Sequence, residues 1–384
     1  MKSPQSAVAG GRPLRILEIG NHELFVHAVP QQTEFYWTGL KPRGRAARVF
    51  GPLQMIRSLR KLRRGEFDLL VVHASQYAPW HPRSFLTVLR DWHIRAPLGL
   101  FAIFAWRFVH QFHGVPIVAV DLGDPCIIGA HNFFLLDRCC AFFKRELPSD
   151  HWLVFCRSGY PNFPGRRWRS KEHYRQRIGK LKPISLGLPP PPRVSLAAEK
   201  QADVFFAGTI ESNSTVRTAG LRELKTLASE GYAVDVASER LQQPAFLQRM
   251  SAAWLAWSPG GLGWDCSRHY EAPLAGTVPL MNDPTILRHQ PLQAGEHCVL
   301  YPVEPGGLAE AARRALADKP RLRKMAQAAA AHVREHHSFA ARAEYVTSTV
   351  LGRRLDGSRI EPAEPVASGE EAANVKSPAG SLAT

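Results

Sequence analysis

Cysteine is scarce and patternless: the six residues at positions 126, 139, 140, 156, 266 and 298 form no C-x-x-C pair and keep no regular spacing. That argues against a disulfide framework or a zinc site and fits a reducing cytosol. No D-x-D occurs either. The first residues, Met1 to Pro13, lack the apolar core of a signal peptide. The longest apolar run, Ala96 to Val109, falls short of the roughly 20 residues that cross a bilayer and contains Arg107. It reads either as a buried helix or as one lying at a membrane surface. The expectation is a cytoplasmic protein, with peripheral attachment to the inner face of the membrane left open. No internal repeat is visible.

With 384 residues, 45% of them hydrophobic, the chain can bury two cores of ordinary size. Its net charge of +16 is unevenly placed. Residues 1–200 hold 30 Lys and Arg against 13 Asp and Glu, whereas residues 201–384 hold 19 against 20. The basic half should attract something anionic: lipid headgroups, a phosphate-bearing acceptor or nucleic acid.

Short apolar runs followed by polar residues recur at residues 14–20, 67–73, 115–121 and 152–156, with helical stretches between them. This is the signature of buried parallel strands. The run Leu188 to Pro192 is stiff and extended. Beyond it the pattern restarts at Ala202, with strands expected at 232–236, 254–257 and 278–281 and helices at 218–229, 246–253, 267–274, 308–316, 321–336 and 339–351. The fold class is therefore α/β with two Rossmann-like domains. Residues 1–12 should be disordered, 13–182 form the first domain, 183–200 a Pro-rich linker, 201–352 the second domain, and 353–384 a disordered tail rich in Ala, Ser, Gly, Pro and Glu.

Two segments of the second half suit a nucleotide. In Phe205 to Leu224, Gly208 and Thr209 end a strand and Arg217 lies near a helix start, which is how a phosphate site is built; a plain strand–turn–helix is the alternative. In Ser267 to Asp283, Arg268 and Glu271 lie three apart and share one helix face. There the carboxylate can accept both ribose hydroxyls and the guanidinium can meet a diphosphate; an Arg–Glu surface pair is the alternative. Gly276 and Thr277 close that helix onto the next strand. The loop Ser258 to Gly263 either lines a pocket or is a turn. In the first half, candidate bases sit where strands end. Asp124 is preferred and His73 comes second, with His22 beside them; a turn aspartate and a core histidine are the plain readings.

Arg268, Glu271, Ala272, Ala275, Gly276 and Pro279 spell R-x-x-E-A-x-x-A-G-x-x-P. With the run from Asp203 to about Leu351, they make the second half resemble the donor-binding half of GT-B glycosyltransferases, of the exostosin-like and group 1 branches. The resemblance implies two domains facing across a cleft and metal-independent sugar transfer from a nucleotide-diphosphate sugar. Glu271 would then hold the donor ribose, and Arg217 and Arg268 would face the diphosphate. Gly208, Thr209, Gly276 and Thr277 would complete the donor site. Where the group 1 branch has a second glutamate, eight positions before Glu271, this chain has Gly263. The partners expected are a saccharide or lipid-linked acceptor of cell-surface polysaccharide or lipopolysaccharide synthesis and an anionic membrane surface, with no cofactor beyond the sugar donor and no specific nucleic acid. A nucleotide-sugar epimerase and a non-catalytic basic anion- or nucleic-acid-binding protein remain rivals.

Overall fold

The computed structural model describes residues 12–42, 48–75, 78–105, 107–108, 112, 114–156, 172–188, 195–197, 199–210 and 215–360. The first domain runs β1 (Ile16–Gly20), α1 (Phe25–Ala28), β2 (Thr33–Trp37), α2 (Pro52–Arg63), β3 (Leu69–His73), α3 (Pro82–Trp92), α4 (Ala96–Ala105), β4 (Ile117–Asp121), α5 (Phe133–Arg138), β5 (Ala141–Lys144), α6 (Glu172–Gly179) and β6 (Leu181–Pro183). The second runs β7 (Ala202–Phe206), α7 (Thr215–Ser229), β8 (Val234–Val236), α8 (Gln243–Ser251), β9 (Ala253–Trp257), α9 (Arg268–Leu274), β10 (Val278–Asn282), β11 (Val299–Tyr301), α10 (Gly307–Leu316), α11 (Lys319–His336) and α12 (Phe339–Leu351).

Among the described residues every pairing between these strands is parallel, in the orders β2-β1-β3-β4-β5-β6 and β11-β10-β9-β7-β8. Strands such as ILEIG, LLVVH and IVAVD are buried at every position because helices cover both faces of the sheet. The two orders are the same topology. Each reverses direction between its first and third strands, β1/β3 and β7/β9, and there the flanking helices diverge and open a crevice at the carboxyl edge. The carboxyl edges of the two sheets meet at one junction. Both oxygens of Glu146, just past β5, accept backbone N–H groups of Trp264 and Asp265, at 2.8 and 2.9 Å. Two facing Rossmann-like domains joined in this way constitute the GT-B architecture.

Several elements depart from the sequence reading. Residues 152–156 are not a strand; His151–Phe155 is a 3₁₀ turn started by the Asp150 carboxylate, which accepts from the Trp152 N–H at 3.0 Å. The apolar run at 96–109 supplies the largely buried helix α4. Helix α12, expected to complete the second domain, returns to the first. Its Ala343 and Val346 pack with Leu14, Phe25, Val71 and Val118. The chain then stays ordered past Gly352, with the Leu14 N–H donating to the Leu355 carbonyl at 3.1 Å and a bridge joining Arg353 to Arg359. Residues 353–360 are thus structured, not a disordered tail. Residues 1–11, the prolines at 189–192 and residues 361–384 lie outside the described residues.

Candidate functional site

In the first domain a cavity of about 750 Å³ opens at the β1/β3 reversal, lined by Asn21, Thr38, Lys41, His73, Arg83 and Arg90 among others. His73 ends β3 opposite Gly20, and a methyl group on Gly20 would collide with the Cβ and ring of His73. Glycine is therefore required for the ring to sit there. The ring's Nε2 lies 2.8 Å from Glu18 Oε1, and both side chains are fully buried. The same carboxylate accepts the N–H groups of Leu24, Phe25 and Val26 at 2.9, 3.2 and 2.9 Å. With three backbone donors already on this carboxylate, the His73 tautomer that fits it is the one that donates from Nε2. Nδ1, which has no partner among the described residues, is left with a lone pair. The His22 ring stands 5.7 Å from that of His73.

Asp124 does not join them. It is absent from the cavity lining, and its half-exposed carboxylate is ion-paired to Arg145, whose Nε also lies 3.4 Å from Glu146 Oε1. Of the two candidate bases, His73 lines this cavity and Asp124 does not. Glu146 also accounts for Gly263. A Cβ there would stand 2.5 Å from Glu146 Oε1 and 3.0 Å from Arg145 Nη2, so the space a second glutamate would need is filled from the other domain. Burial pushes the Glu146 carboxyl up, opposed by Arg145 and the two backbone N–H groups.

In the second domain the expected residues converge at the β7/β9 reversal. Arg268 Nη1 donates to the Ala207 carbonyl at 2.6 Å, and its guanidinium lies 5.2 Å from the Phe206 ring centre. Arg217 Nη1 donates to the Thr209 carbonyl at 2.7 Å. These carbonyls, two residues apart, fasten two cations to one turn. A Cβ on Gly208 would strike Arg268 Nη1, and one on Gly261 would sit 2.5 Å from Arg217 Nη2. Two glycines thus make room for the pair. Arg268 Nε has no partner among the described residues. Glu271 follows one helical turn later; burial and the charge on Cys266 push its carboxyl up, while Ser267 and Arg268 pull it down.

Gly276 and Thr277 are elsewhere. Helix α9 carries the chain from the carboxyl end of β9 to the amino end of β10, so both residues lie at the opposite edge of the parallel sheet from Arg268. There Thr277 Oγ1 donates to the Met250 carbonyl at 2.7 Å and Lys200 Nζ donates to the Gly276 carbonyl at 2.7 Å. Gly276, at φ 73°, turns the chain out of the helix; both residues are structural and leave the donor set.

A second cluster lies just before α9. Cys266 Sγ is 3.3 Å from Ser258 Oγ, and His269, whose Nε2 is 3.0 Å from the Ser258 carbonyl, follows Cys266 by one turn. Burial alone would raise the Cys266 thiol, but His269, Arg268 and Ser258 together bring it down to about 5. Burial alone would lower His269, but Cys266 and Asp265 bring it up to about 9. Asp265 is buried behind Cys266 and His269, accepting from the Leu186 N–H at 2.7 Å and the Tyr270 hydroxyl at 2.6 Å. Sequence reasoning gave no chemistry to Glu18, Arg145, Glu146 or this cluster. A charged residue inside an otherwise apolar strand was the available signal for Glu18. Among the described residues no group of three or more His, Cys, Asp or Glu is placed to hold a metal ion.

Residues 261–348 match the family model described as Glycosyl transferase-like, the stretch that carries Arg268 and Glu271. No curated protein matches the sequence. Among solved structures, the chain is similar to sucrose-phosphate synthase from Thermosynechococcus elongatus (12% identity, 87% of this chain and 98% of that one, TM-score 0.48). It is likewise similar to HepE of Anabaena in complex with UDP (12%, 88% and 99%, TM-score 0.46) and to a glycosyltransferase from Rickettsia africae (8%, 88% and 99%, TM-score 0.47).

Proposed function

We propose that this chain transfers a sugar from a nucleotide-diphosphate donor to an acceptor hydroxyl, with the donor on the second domain and the acceptor in the His73 cavity. The observation that carries the reading is the pair Arg217 and Arg268, fastened to one turn at the β7/β9 reversal with Glu271 a helical turn away. Glu271 accepts the ribose hydroxyls, and the two guanidiniums take up the charge of the departing diphosphate, with no metal in that role.

In this reading His73 Nδ1 takes the acceptor's proton as the acceptor oxygen bonds to the anomeric carbon and the bond from that carbon to the diphosphate oxygen breaks. Glu18 holds the ring and offsets the positive charge it gains. A single displacement of this kind inverts the anomeric centre, and the filled space at Gly263 favours it over a route that needs a second carboxylate on that loop. The acceptor is a saccharide or lipid-linked saccharide used in cell-surface polysaccharide or lipopolysaccharide synthesis. The enzyme works in the cytoplasm, at the inner face of the membrane.

A thermal-shift series with nucleoside diphosphates and their sugars, UDP and UDP-glucose included, tests this. A ligand at 100 times its dissociation constant adds about 2.7 kcal/mol. Glu271→Ala should abolish that gain while its ligand-free melting temperature stays close to that of the parent. If no nucleotide stabilises the protein, or Glu271→Ala responds as the parent does, the donor assignment is wrong. Appearance of an altered free sugar without any acceptor would overturn the transfer step.

A further inference from the structure

Helix α3 has three differently employed faces. Arg83, Thr87 and Arg90, spaced i, i+4 and i+7, line the His73 cavity. Ser84, Val88 and Trp92 are buried, and the Trp92 indole N–H donates to the Leu40 carbonyl at 2.7 Å. The third face carries Phe85, Leu86 and Leu89, all exposed, with Leu86 at 61%. At about 100° per residue, Leu86 lies next to Arg90, so the apolar face begins where the cavity wall ends.

Further exposed apolar side chains stand outside the helix. At its end His93 adopts φ 48°, one of two non-glycine residues with positive φ among those described, and the next residue, Ile94, is 96% exposed. Helix α2 starts beside α4, since a Cβ on Gly51 would sit 2.8 Å from Leu98 Cδ1, and it adds Leu53 and Ile56, exposed by 66% and 44%. Scattered apolar side chains are ordinary on a surface; three on one helix face, with a fully exposed isoleucine at its corner, mark a contact. Charge selects the partner. Over residues 52–63 and 82–95 there are seven Lys and Arg against one acid, Asp91, which is itself bonded to Arg90 at 2.6 Å. Apolar tips within a cationic border suit a bilayer with anionic headgroups: the leucines and isoleucines enter the acyl boundary, and the arginine stems lie along it with their heads at the phosphates.

We propose that the α2–α3 face, with the Ile94 corner, rests on an anionic lipid bilayer, so that the acceptor is lipid-anchored and passes from the bilayer over the Leu86–Arg90 edge of α3 into the His73 cavity. The second step rests on reading that cavity as the acceptor site. The first does not, and the experiment separates them.

The full chain is sedimented with phosphatidylglycerol-containing vesicles and with phosphatidylcholine vesicles, beside the double variant Leu86→Glu/Ile94→Glu; neither residue lines the cavity. The parent should be retained at low salt by the anionic vesicles only. The double variant should lose about tenfold or more in retention, while its melting temperature and its thermal shift with UDP match those of the parent. Equal retention of both proteins, or equal retention on neutral vesicles, would overturn the proposal. So would a parent dimer that the double variant converts to monomer, because a second copy would then cover the face. Loss of the UDP shift in the parent bears on the donor site and leaves the vesicle result to stand by itself.

Discussion

Replacing Glu18 by glutamine separates what that carboxylate does for the fold from what it does for His73. The carboxylate accepts four donors: three backbone N–H groups at the start of α1 and His73 Nε2. Glutamine keeps the volume but has one acceptor oxygen, and its NH₂ must face at least one buried N–H. Leaving a buried donor unsatisfied costs about 1–3 kcal/mol, which for a domain of this size lowers the melting temperature by roughly 2–10 °C. The fold should survive. The effect on turnover should be far larger, because His73 loses both the partner that sets its tautomer and the negative charge that supports it once protonated. General-base catalysis contributes about 10²–10⁴-fold, and the loss should fall in that range. The assay is release of UDP from UDP-glucose, paired with thermal melts with and without UDP. The expected result is a protein a few degrees less stable, with an undiminished UDP shift and a collapsed kcat. Undiminished turnover in a destabilised Glu18→Gln protein would refute the pairing of Glu18 with His73 as a catalytic unit and leave it as helix support only.

Two further outcomes follow from buried charges. With the Cys266 thiol brought down to about 5, alkylation by iodoacetamide should be nearly flat between pH 6 and 8, where an ordinary thiol slows about tenfold per unit as pH falls. Peptide mapping should find the label on Cys266, Cys266→Ser should remove the fast phase, and UDP should slow it; a steep pH profile would show that His269, Arg268 and Ser258 do not bring the thiol down. Arg342 in α12 is fully buried, none of its three guanidinium nitrogens has a partner among the described residues, and burial brings its pKa down to about 10. Arg342→Met should therefore stabilise the protein by about 1–3 kcal/mol, and a large loss on thermal melting would show that the charge is needed there.

What was legible in the sequence was what local pattern controls. Strand–helix alternation, the shared helix face of Arg268 and Glu271, and the glycine turn at Gly208 are short-range features, and the structure has them where periodicity puts them. What was illegible depends on contacts between distant residues. Glu18 and His73 are 55 positions apart and meet only because β1 and β3 are neighbours in a reversed strand order. Asp124 looked available because nothing nearby in sequence announces Arg145. Gly276 and Thr277 were drawn into the donor set by closeness to Glu271 along the chain, although a helix linking parallel strands separates its two ends by the depth of the sheet. The 152–156 run has a strand's composition, but Asp150 turns it into a 3₁₀ segment.

The return of α12 to the first domain bears on how the molecule is made. Leu14, Phe25 and Val71 emerge from the ribosome long before the side chains that cover them, Ala343 and Val346. The first domain therefore waits, with part of its apolar surface bare, until the whole second domain has been made. A premature stop anywhere before residue 339 would damage the amino-terminal half of the protein as surely as the carboxyl-terminal one.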